Sequence, residues 1–255
     1  MNETFILKVY RGTPQKQYFE EFELALRDGE NVISALMEIQ KNPVNRKGEH
    51  VTPVVWEQGC LEEVCGSCSM LVNGYPRQAC TALIAEYLKK SKSRTITLAP
   101  FTKFPLVRDL IVDRSSMFEN LKKVRGWIDS DASRSEGFGP LISQEKQEVM
   151  YTLSTCMTCG CCSEGCPQVN KRSEFIGPAP ISQARLFNAN PTGKLERASR
   201  LRPLMDAGGI SECGNSQNCV EVCPKKIPLT DSIGVIGRDV TLQAFRDLFA
   251  PKEDQ

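Results

Sequence analysis

The chain has 255 residues, and Lys and Arg total 32 against 31 for Asp and Glu, a formal net charge of +1. That length suits two ordinary domains, each with its own core, and the balanced charge gives no chain-wide basic field that would draw it onto nucleic acid. Twelve cysteines would suit a disulfide scaffold in a secreted protein. The opening MNETFILKVYRG, however, has no basic segment ahead of an apolar run, no twin arginine and no Arg- and Ser-rich transit pattern. The expectation is therefore a bacterial cytoplasmic protein made without processing, in which clustered cysteines serve as metal ligands or redox centres. Mean hydropathy is −0.30, and no run approaches the roughly 18 apolar residues that span a bilayer, so work at a membrane would need an anchoring partner.

In chain order, FILKVY (5–10) and YFEEFEL (18–24) read as strands separated by a polar loop containing Gly12 and Pro14. NVISALMEIQKN reads as a helix capped by Asn31, with Val32, Ile33, Leu36, Met37 and Ile39 on its apolar face. A loop rich in Cys and Gly follows. SMLV, the Asn73-Gly74 turn and YPRQA then form a hairpin, for which Asn-Gly is a strong signal, and RTITLAPF (94–101) is a further strand. Beyond Pro105, helical spacing of apolar residues recurs in DLIVDRSSMFENLKKVRGWI, ISQEKQEVMYTLS, PISQARLFNAN, ERASRLRPLMDAG and DVTLQAFRDLFA. DSDASRSEGFGP (129–140) reads as a surface loop. The expected class is α+β, with residues 1–104 as strands around one helix and residues 105–255 as a helical domain. Strands, one helix and a cysteine loop in that order resemble the β-grasp fold of plant-type ferredoxins.

The first cysteine group is Cys60, Cys65, Cys68 and, after the hairpin, Cys80, in GCLEEVCGSC…QAC. C-x4-C-x2-C…C is the plant-type spacing for a 2Fe-2S cluster. Gly59 and Gly66 allow the loop backbone to come close to inorganic sulfur. The plainer readings are a zinc site, which more often shows paired C-x2-C knuckles, or buried thiols. The second group, CMTCGCCSEGCP, places Cys156, Cys159, Cys162 and Cys166 on the bacterial-ferredoxin spacing C-x2-C-x2-C-x3-C-P, in which the fourth cysteine serves a second cluster. CGNSQNCVEVCP supplies that second run, with Ser216 where its middle cysteine would fall. By the crossover rule Cys156, Cys159, Cys162 and Cys223 hold a 4Fe-4S cluster, and Cys166, Cys213 and Cys219 remain for a 3Fe-4S cluster. The rival is a 4Fe-4S cluster with the Ser216 oxygen or water on its fourth iron, although a hydroxyl is a poor ligand to such soft centres. Cys161 falls off the spacing and reads as a buried small thiol, with a redox-sensing thiol as the alternative.

These three groups in this order resemble the iron-sulfur subunits of succinate dehydrogenases and fumarate reductases. The resemblance extends to NPVNRKGEHVTPVVW, FPLVRDLIVDRSSMF, FIGPAPISQARLF and CPKKIPL, and so covers nearly the whole chain. It implies an electron wire in an oxidoreductase of respiration and the tricarboxylic acid cycle, running from an FAD-containing flavoprotein subunit through the 2Fe-2S, 4Fe-4S and 3Fe-4S clusters to a membrane-anchor cytochrome b subunit that binds quinone. The chain itself would be peripheral, on the cytoplasmic face of the cell membrane. Succinate oxidation is the leading direction, with fumarate reduction the nearest alternative. Pro167 matches a quinone-proximal position of the family, but the Trp and His found nearby in ubiquinone-using members are absent from CPQVNKRSEF and from Gly214. That departure resembles the menaquinone-using Gram-positive, Bacillus-like branch, with the quinone held mostly by the anchor.

No paired acid-base residues or nucleophile triad indicate that this chain turns over succinate itself. His50 reads as a surface histidine, and Glu62 and Glu63 read as solvated loop charges, with tuning of the nearby cluster as a further role. The basic residues of KLERASRLR (194–202) suit a solvated helix face, or alternatively anionic lipid headgroups. A free ferredoxin-like carrier would usually be smaller and strongly acidic, and a zinc-stabilised interaction module is the third reading.

Overall fold

Alternation sets the first element of the computed structural model, which describes residues 3–91, 93–129 and 140–249. In β1 (Thr4–Thr13) Phe5, Leu7 and Val9 are buried and their neighbours are not, the period of a strand with one face on a core. β1 pairs antiparallel with β2 (Lys16–Ala25) along its whole length, with Thr13 opposite Lys16. Only Pro14 and Gln15 are left for the turn, so the expected polar loop is mostly strand. Gly12 makes this possible: its φ is +107°, and a Cβ there would lie 2.0 Å from the Lys16 carbonyl oxygen.

α1 (Val32–Lys41) begins at Asn31 as expected. The Asn31 side chain accepts from the Ser34 N–H and the Ser34 hydroxyl accepts from the Asn31 N–H, each at 2.9 Å, a reciprocal cap. β3 (Ser69–Val72) and β4 (Tyr75–Gln78) form the expected hairpin, with Asn73 at φ +50° and Gly74 at +80°. α2 (Ile84–Lys90) was not foreseen, and β5 (Thr95–Ala99) completes a sheet of order β2-β1-β5-β3-β4. β5 runs parallel to β1 and antiparallel to β3. Leu7, Val9, Leu36, Ile39, Met70, Ile96 and Leu98 share one buried cluster with Cys68 and Cys80. The fold thus carries two cysteines inside the core between sheet and helix.

DLIV is not the start of a helix. It forms a small ribbon, β6 (Leu106–Arg108) with β7 (Ile111–Val112), turned at Asp109 with φ +50°. The buried Asp109 carboxylate accepts the N–H of Gly12 at 2.7 Å and of Val55 at 3.0 Å and faces Arg11 Nε at 3.3 Å. These contacts come from residues far along the chain, which local apolar spacing does not report.

Helices make up most of the remainder: α3 (Ser115–Lys123), α4 (Gln144–Ser154), α5 (Cys161–Gly165), α6 (Pro178–Ala189), α7 (Arg197–Leu201), α8 (Asn218–Glu221) and α9 (Leu229–Phe249). The predicted ERASRLRPLMDAG helix is cut short, because Pro203 lies in a 3-10 turn directly after α7. Most of the predicted 129–140 loop lies outside the described residues. Among the described residues no helix is long and apolar enough to cross a membrane. The chain divides into two compact units, Met1–Arg114 with Met157–Glu164, and Ser115–Cys156 with Gly165–Gln255. In the second unit Val124, Phe175, Ile181, Leu201, Ile236 and Val240 form a core that includes Cys166.

The basic stretch at 194–202 is not simply a solvated face. Arg200 has no exposed surface: it donates to the carbonyls of Gly193 and Trp127 at 2.5 Å, to that of Arg125 at 3.0 Å, and to Glu196 at 2.7 Å. Arg197 pairs with Asp239 at 2.6 Å, and Arg202 makes two bonds of 3.0 Å to Asp247. Arg200→Met should strand three carbonyls and a carboxylate and lower unfolding free energy by about 3 kcal/mol. Arg200→Lys should recover only part of the loss, because an ammonium cannot reproduce the planar fork. Denaturant unfolding of the two variants beside the parent measures both effects.

Candidate metal centres

The loop from Cys60 to Cys68 turns its backbone N–H groups onto sulfur. Cys60 Sγ accepts from the N–H of Val64 and Cys65 at 3.2 Å and of Glu62 at 3.3 Å, and Cys65 Sγ accepts from the N–H of Cys60 at 3.3 Å and of Ser67 at 3.5 Å. Left-handed residues produce this turn: Leu61 at φ +62°, Glu63 at +56° and Gly66 at +74°. A run of inward N–H groups forms a concavity that favours negative charge. The Ser67 hydroxyl, followed by the N–H groups of Cys60 and Ser67, brings the Cys65 thiol down to about 6. Burial instead pushes the Cys68 thiol up to about 12, so this sulfur is charged only with a cation beside it.

A cluster of thiolate-bound iron fits this arrangement. A Cβ at Gly59 would lie 2.9 Å from Cys65 Sγ, so the loop closes on its sulfurs only without a side chain there. Among the described residues no three Cys, His, Asp or Glu side chains form a group for a single metal ion, and the fit therefore rests on the backbone donors and the glycine. Glu63 is more than a solvated charge, since its carboxylate accepts from the Thr81 hydroxyl at 2.8 Å, next to Cys80. Glu62 and His50 are exposed, as expected.

Residues 157–164 belong to this same unit, although they lie far along the chain. A Cβ at Gly66 would lie 2.9 Å from Cys159 Cβ and from the Met157 carbonyl oxygen, so the two cysteine segments are in direct contact. Three side chains hold them there. Arg114 donates to the Gly66 carbonyl at 2.9 Å and to the Cys159 carbonyl at 3.5 Å. Glu164 accepts from the Thr102 hydroxyl at 2.6 Å and from the N–H of Thr102 and Lys103 at 3.0 Å. Gln78, fully buried, donates to Ser69 Oγ at 2.9 Å and Cys161 Sγ at 3.6 Å, while its carbonyl oxygen accepts from Cys68 Sγ at 3.6 Å. Cys161 has no exposed surface, and its hydrogen bond is the foremost cause holding the Cys159 thiol down to about 7. Sequence reasoning passed over Arg114, Gln78 and Glu164. Gln78 and Glu164 lay inside the quoted cysteine motifs and Arg114 inside a stretch that carries the family resemblance, but none of the three bore a local signal of the contact it makes.

In the second unit Cys166 is buried, and Cys213 packs against the cluster that contains it. Burial pushes the Cys219 thiol up to about 11, with the charges of Cys166 and then Cys213 adding to the rise. A Cβ at Gly165 would lie 2.9 Å from Val222 Cγ2, and Asn218 Nδ2 donates to the Gly165 carbonyl at 3.1 Å, which joins the end of the first ferredoxin run to the second. Ser216 is exposed between Asn215 at φ +52° and Gln217 at φ +62°. Pro167 is exposed as well. A Cβ at Gly214 would lie 2.4 Å from Gln168 Nε2, so the Gln168 amide fills the space beside Cys213 that a larger residue would need. Of the remaining sequence-predicted ligands, Cys159 and Cys162 lie in the first unit, Cys156 and Cys223 in the second, and Cys223 Sγ accepts from the Ile227 N–H at 3.4 Å.

Comparisons with known proteins match two regions of the chain to iron-sulfur domains. Residues 6–119 match the family model of a 2Fe-2S iron-sulfur cluster binding domain, and residues 152–227 match that of a 4Fe-4S dicluster domain. The chain is 57% identical to the succinate dehydrogenase iron-sulfur subunit of Bacillus subtilis, over 91% of this chain and 90% of that one. It is 27% identical to the fumarate reductase iron-sulfur subunit of Wolinella succinogenes, over 93% and 98%. Among solved structures, a chain of the Mycobacterium smegmatis Sdh1 complex in the apo form has a TM-score of 0.79 at 22% identity, covering 96% of this chain and 98% of that one, a likeness of fold.

Proposed function

Because the chain belongs to the iron-sulfur subunit family of succinate dehydrogenases and fumarate reductases, we propose that it is the electron-transfer subunit of a succinate:menaquinone oxidoreductase. The observation that carries this reading is the 57% identity to a succinate dehydrogenase subunit across 91% of the chain, against 27% for the fumarate reductase relative. Cys60, Cys65, Cys68 and Cys80 would hold a 2Fe-2S cluster, Cys156, Cys159, Cys162 and Cys223 a 4Fe-4S cluster, and Cys166, Cys213 and Cys219 a 3Fe-4S cluster. When bound, such clusters supply one-electron acceptance and release at potentials set by charge, hydrogen bonding and burial.

The chain's own residues place the ligands and shield them. The N–H groups of Glu62, Val64 and Cys65 stabilise negative charge at Cys60, while burial of Cys68, Cys80, Cys166 and Cys219 limits the access of water. The partners would be an FAD-containing flavoprotein, where succinate reacts, and a cytochrome b anchor that holds menaquinone. The chain itself would be peripheral, on the cytoplasmic face of the cell membrane; among the described residues no helix is long and apolar enough to cross it. Gln168 beside Gly214 and the exposed Pro167 leave no aromatic or imidazole partner at the position where ubiquinone-using members have one, which supports a quinone held by the anchor.

Three outcomes test the reading. Anaerobic analysis should give about nine irons and about ten acid-labile sulfides per chain; oxidised wild type should show the paramagnetic signal of a 3Fe-4S cluster, and Ser216→Cys should abolish it by admitting a fourth iron. Zinc without sulfide, or no oxidised signal, would overturn the assignment. Cys161→Ser should retain all three clusters and Cys162→Ser should lose the 4Fe-4S centre, as electron paramagnetic resonance of the reduced variants reports; equal loss in both would shift the ligand register. Removing the anchor should leave a two-subunit complex that reduces dyes and not menaquinone analogues, whereas full quinone activity in that complex would place the quinone site on this chain.

A further inference from the structure

Gly66 and Cys159 are in contact, and one guanidinium bridges the loops on which they sit. Arg114 Nη1 donates to the Gly66 carbonyl at 2.9 Å and the Cys159 carbonyl at 3.5 Å, and Nη2 reaches the Ser67 carbonyl at 3.4 Å and Glu57 at 2.6 Å. The side chain of Arg114 is 16% exposed and that of Glu57 43% exposed. The cation is thus largely screened from water and its counter-ion is not. A guanidinium presents several donors in one rigid plane, so it can fix three carbonyls of two loops at once.

We propose that Arg114 is a positioning residue for electron transfer between the first two centres: it locks the Cys60–Cys68 loop onto the Cys159 segment, and its charge raises the reduction potential of both centres. The proposal rests on the ligand sets assigned above and adds the residue that joins two of them. Each added electron makes a centre more negative, so a partly buried cation beside both ligand loops favours the reduced form of each. Glu57 works in the opposite sense, because its carboxylate offsets part of that charge. The loop contact offers a short route from Gly66, bonded to the ligand Cys65, across to the ligand Cys159. With both clusters bound, one electron passing along it would oxidise the first centre and reduce the second.

Redox titration of the intact complex followed by electron paramagnetic resonance tests this, with iron content measured on every sample. Arg114→Met should lower the reduction equilibrium of both centres about tenfold, equivalent to about 59 mV for a one-electron couple, and should slow reduction of the second centre after rapid mixing with succinate. Arg114→Lys should retain the potentials, because the charge remains, while transfer stays slow, because the fork is lost. Glu57→Gln, at an exposed carboxylate that does not threaten folding, should shift both potentials upward. Unchanged potentials in Glu57→Gln, or unchanged potentials and transfer in an iron-replete Arg114→Met, would overturn the proposal; if Arg114→Met loses iron, Glu57→Gln alone decides. Absence of clusters from wild type would instead defeat the ligand assignment, and the iron measurement separates the two failures.

Discussion

Glu164 is the point on which the cysteine layout of the first unit depends. Its buried carboxylate accepts from the Thr102 hydroxyl and from two consecutive backbone N–H groups. Charge-assisted bonds of this kind are about twice as strong as neutral ones. Residues 157–164 include only a short helical segment, too short to hold a position by its own helix propensity. With Glu164 fixed, Cys159 comes against Gly66 and Cys161 comes within reach of Gln78. Arg114 and Gln78 add further hydrogen bonds between the same segments.

The same device recurs wherever a loop must be held without a large apolar face. Asp109 turns the β6–β7 ribbon by accepting from Gly12 and Val55 beside Arg11, which also pairs with Glu20 at 2.6 Å. Arg200 gathers the carbonyls of Arg125, Trp127 and Gly193. Desolvation offsets much of the attraction in such hubs, so their net stabilisation is modest, but removing one partner leaves the others buried and unmatched. A hub of this kind therefore acts chiefly on geometry. Where thiolates from separate segments have to converge, geometry is what the fold must supply.

What the sequence disclosed follows the range of each interaction. The Asn31 cap and the Asn73-Gly74 hairpin depend on residues within a few positions, and both were legible. The extent of β1 and β2 was not, because Arg11 to Thr13 and Lys16 to Gln17 look like loop until the two-residue turn sets their register. DLIV has apolar spacing compatible with a helix, and only the distant donors to Asp109 make it a turn. In the cysteine groups spacing alone suggests the ligand sets, and the set of Cys166, Cys213 and Cys219 is an expectation drawn from it. Arg114 and Gln78 could not be read this way, since each acts on a segment whose place in the first unit is a matter of tertiary packing. Arg200 looked solvated among basic neighbours because its acceptors are mostly carbonyls, which every residue has and no motif marks.

The cysteine groups and the hydrophobic cores are not separate parts of this chain. Cys68 and Cys80 lie in the cluster that contains Leu36, Ile39 and Leu98, and Cys166 lies with Leu201, Leu204 and Ile236. Side chains in close-packed cores have little room to shift, so packing that fixes the sheet on α1 also fixes two sulfurs of the first group. Cys60 and Cys65 sit outside that core, on a loop shaped by left-handed residues and inward N–H groups. Each pair is held by a different means. The buried pair takes its position from the core and the loop pair from backbone hydrogen bonds, so a change in core packing would move Cys68 and Cys80 relative to Cys60 and Cys65. On the proposed ligand set, a cluster bound across both pairs would tie loop to core and make occupancy of the site part of the stability of the fold.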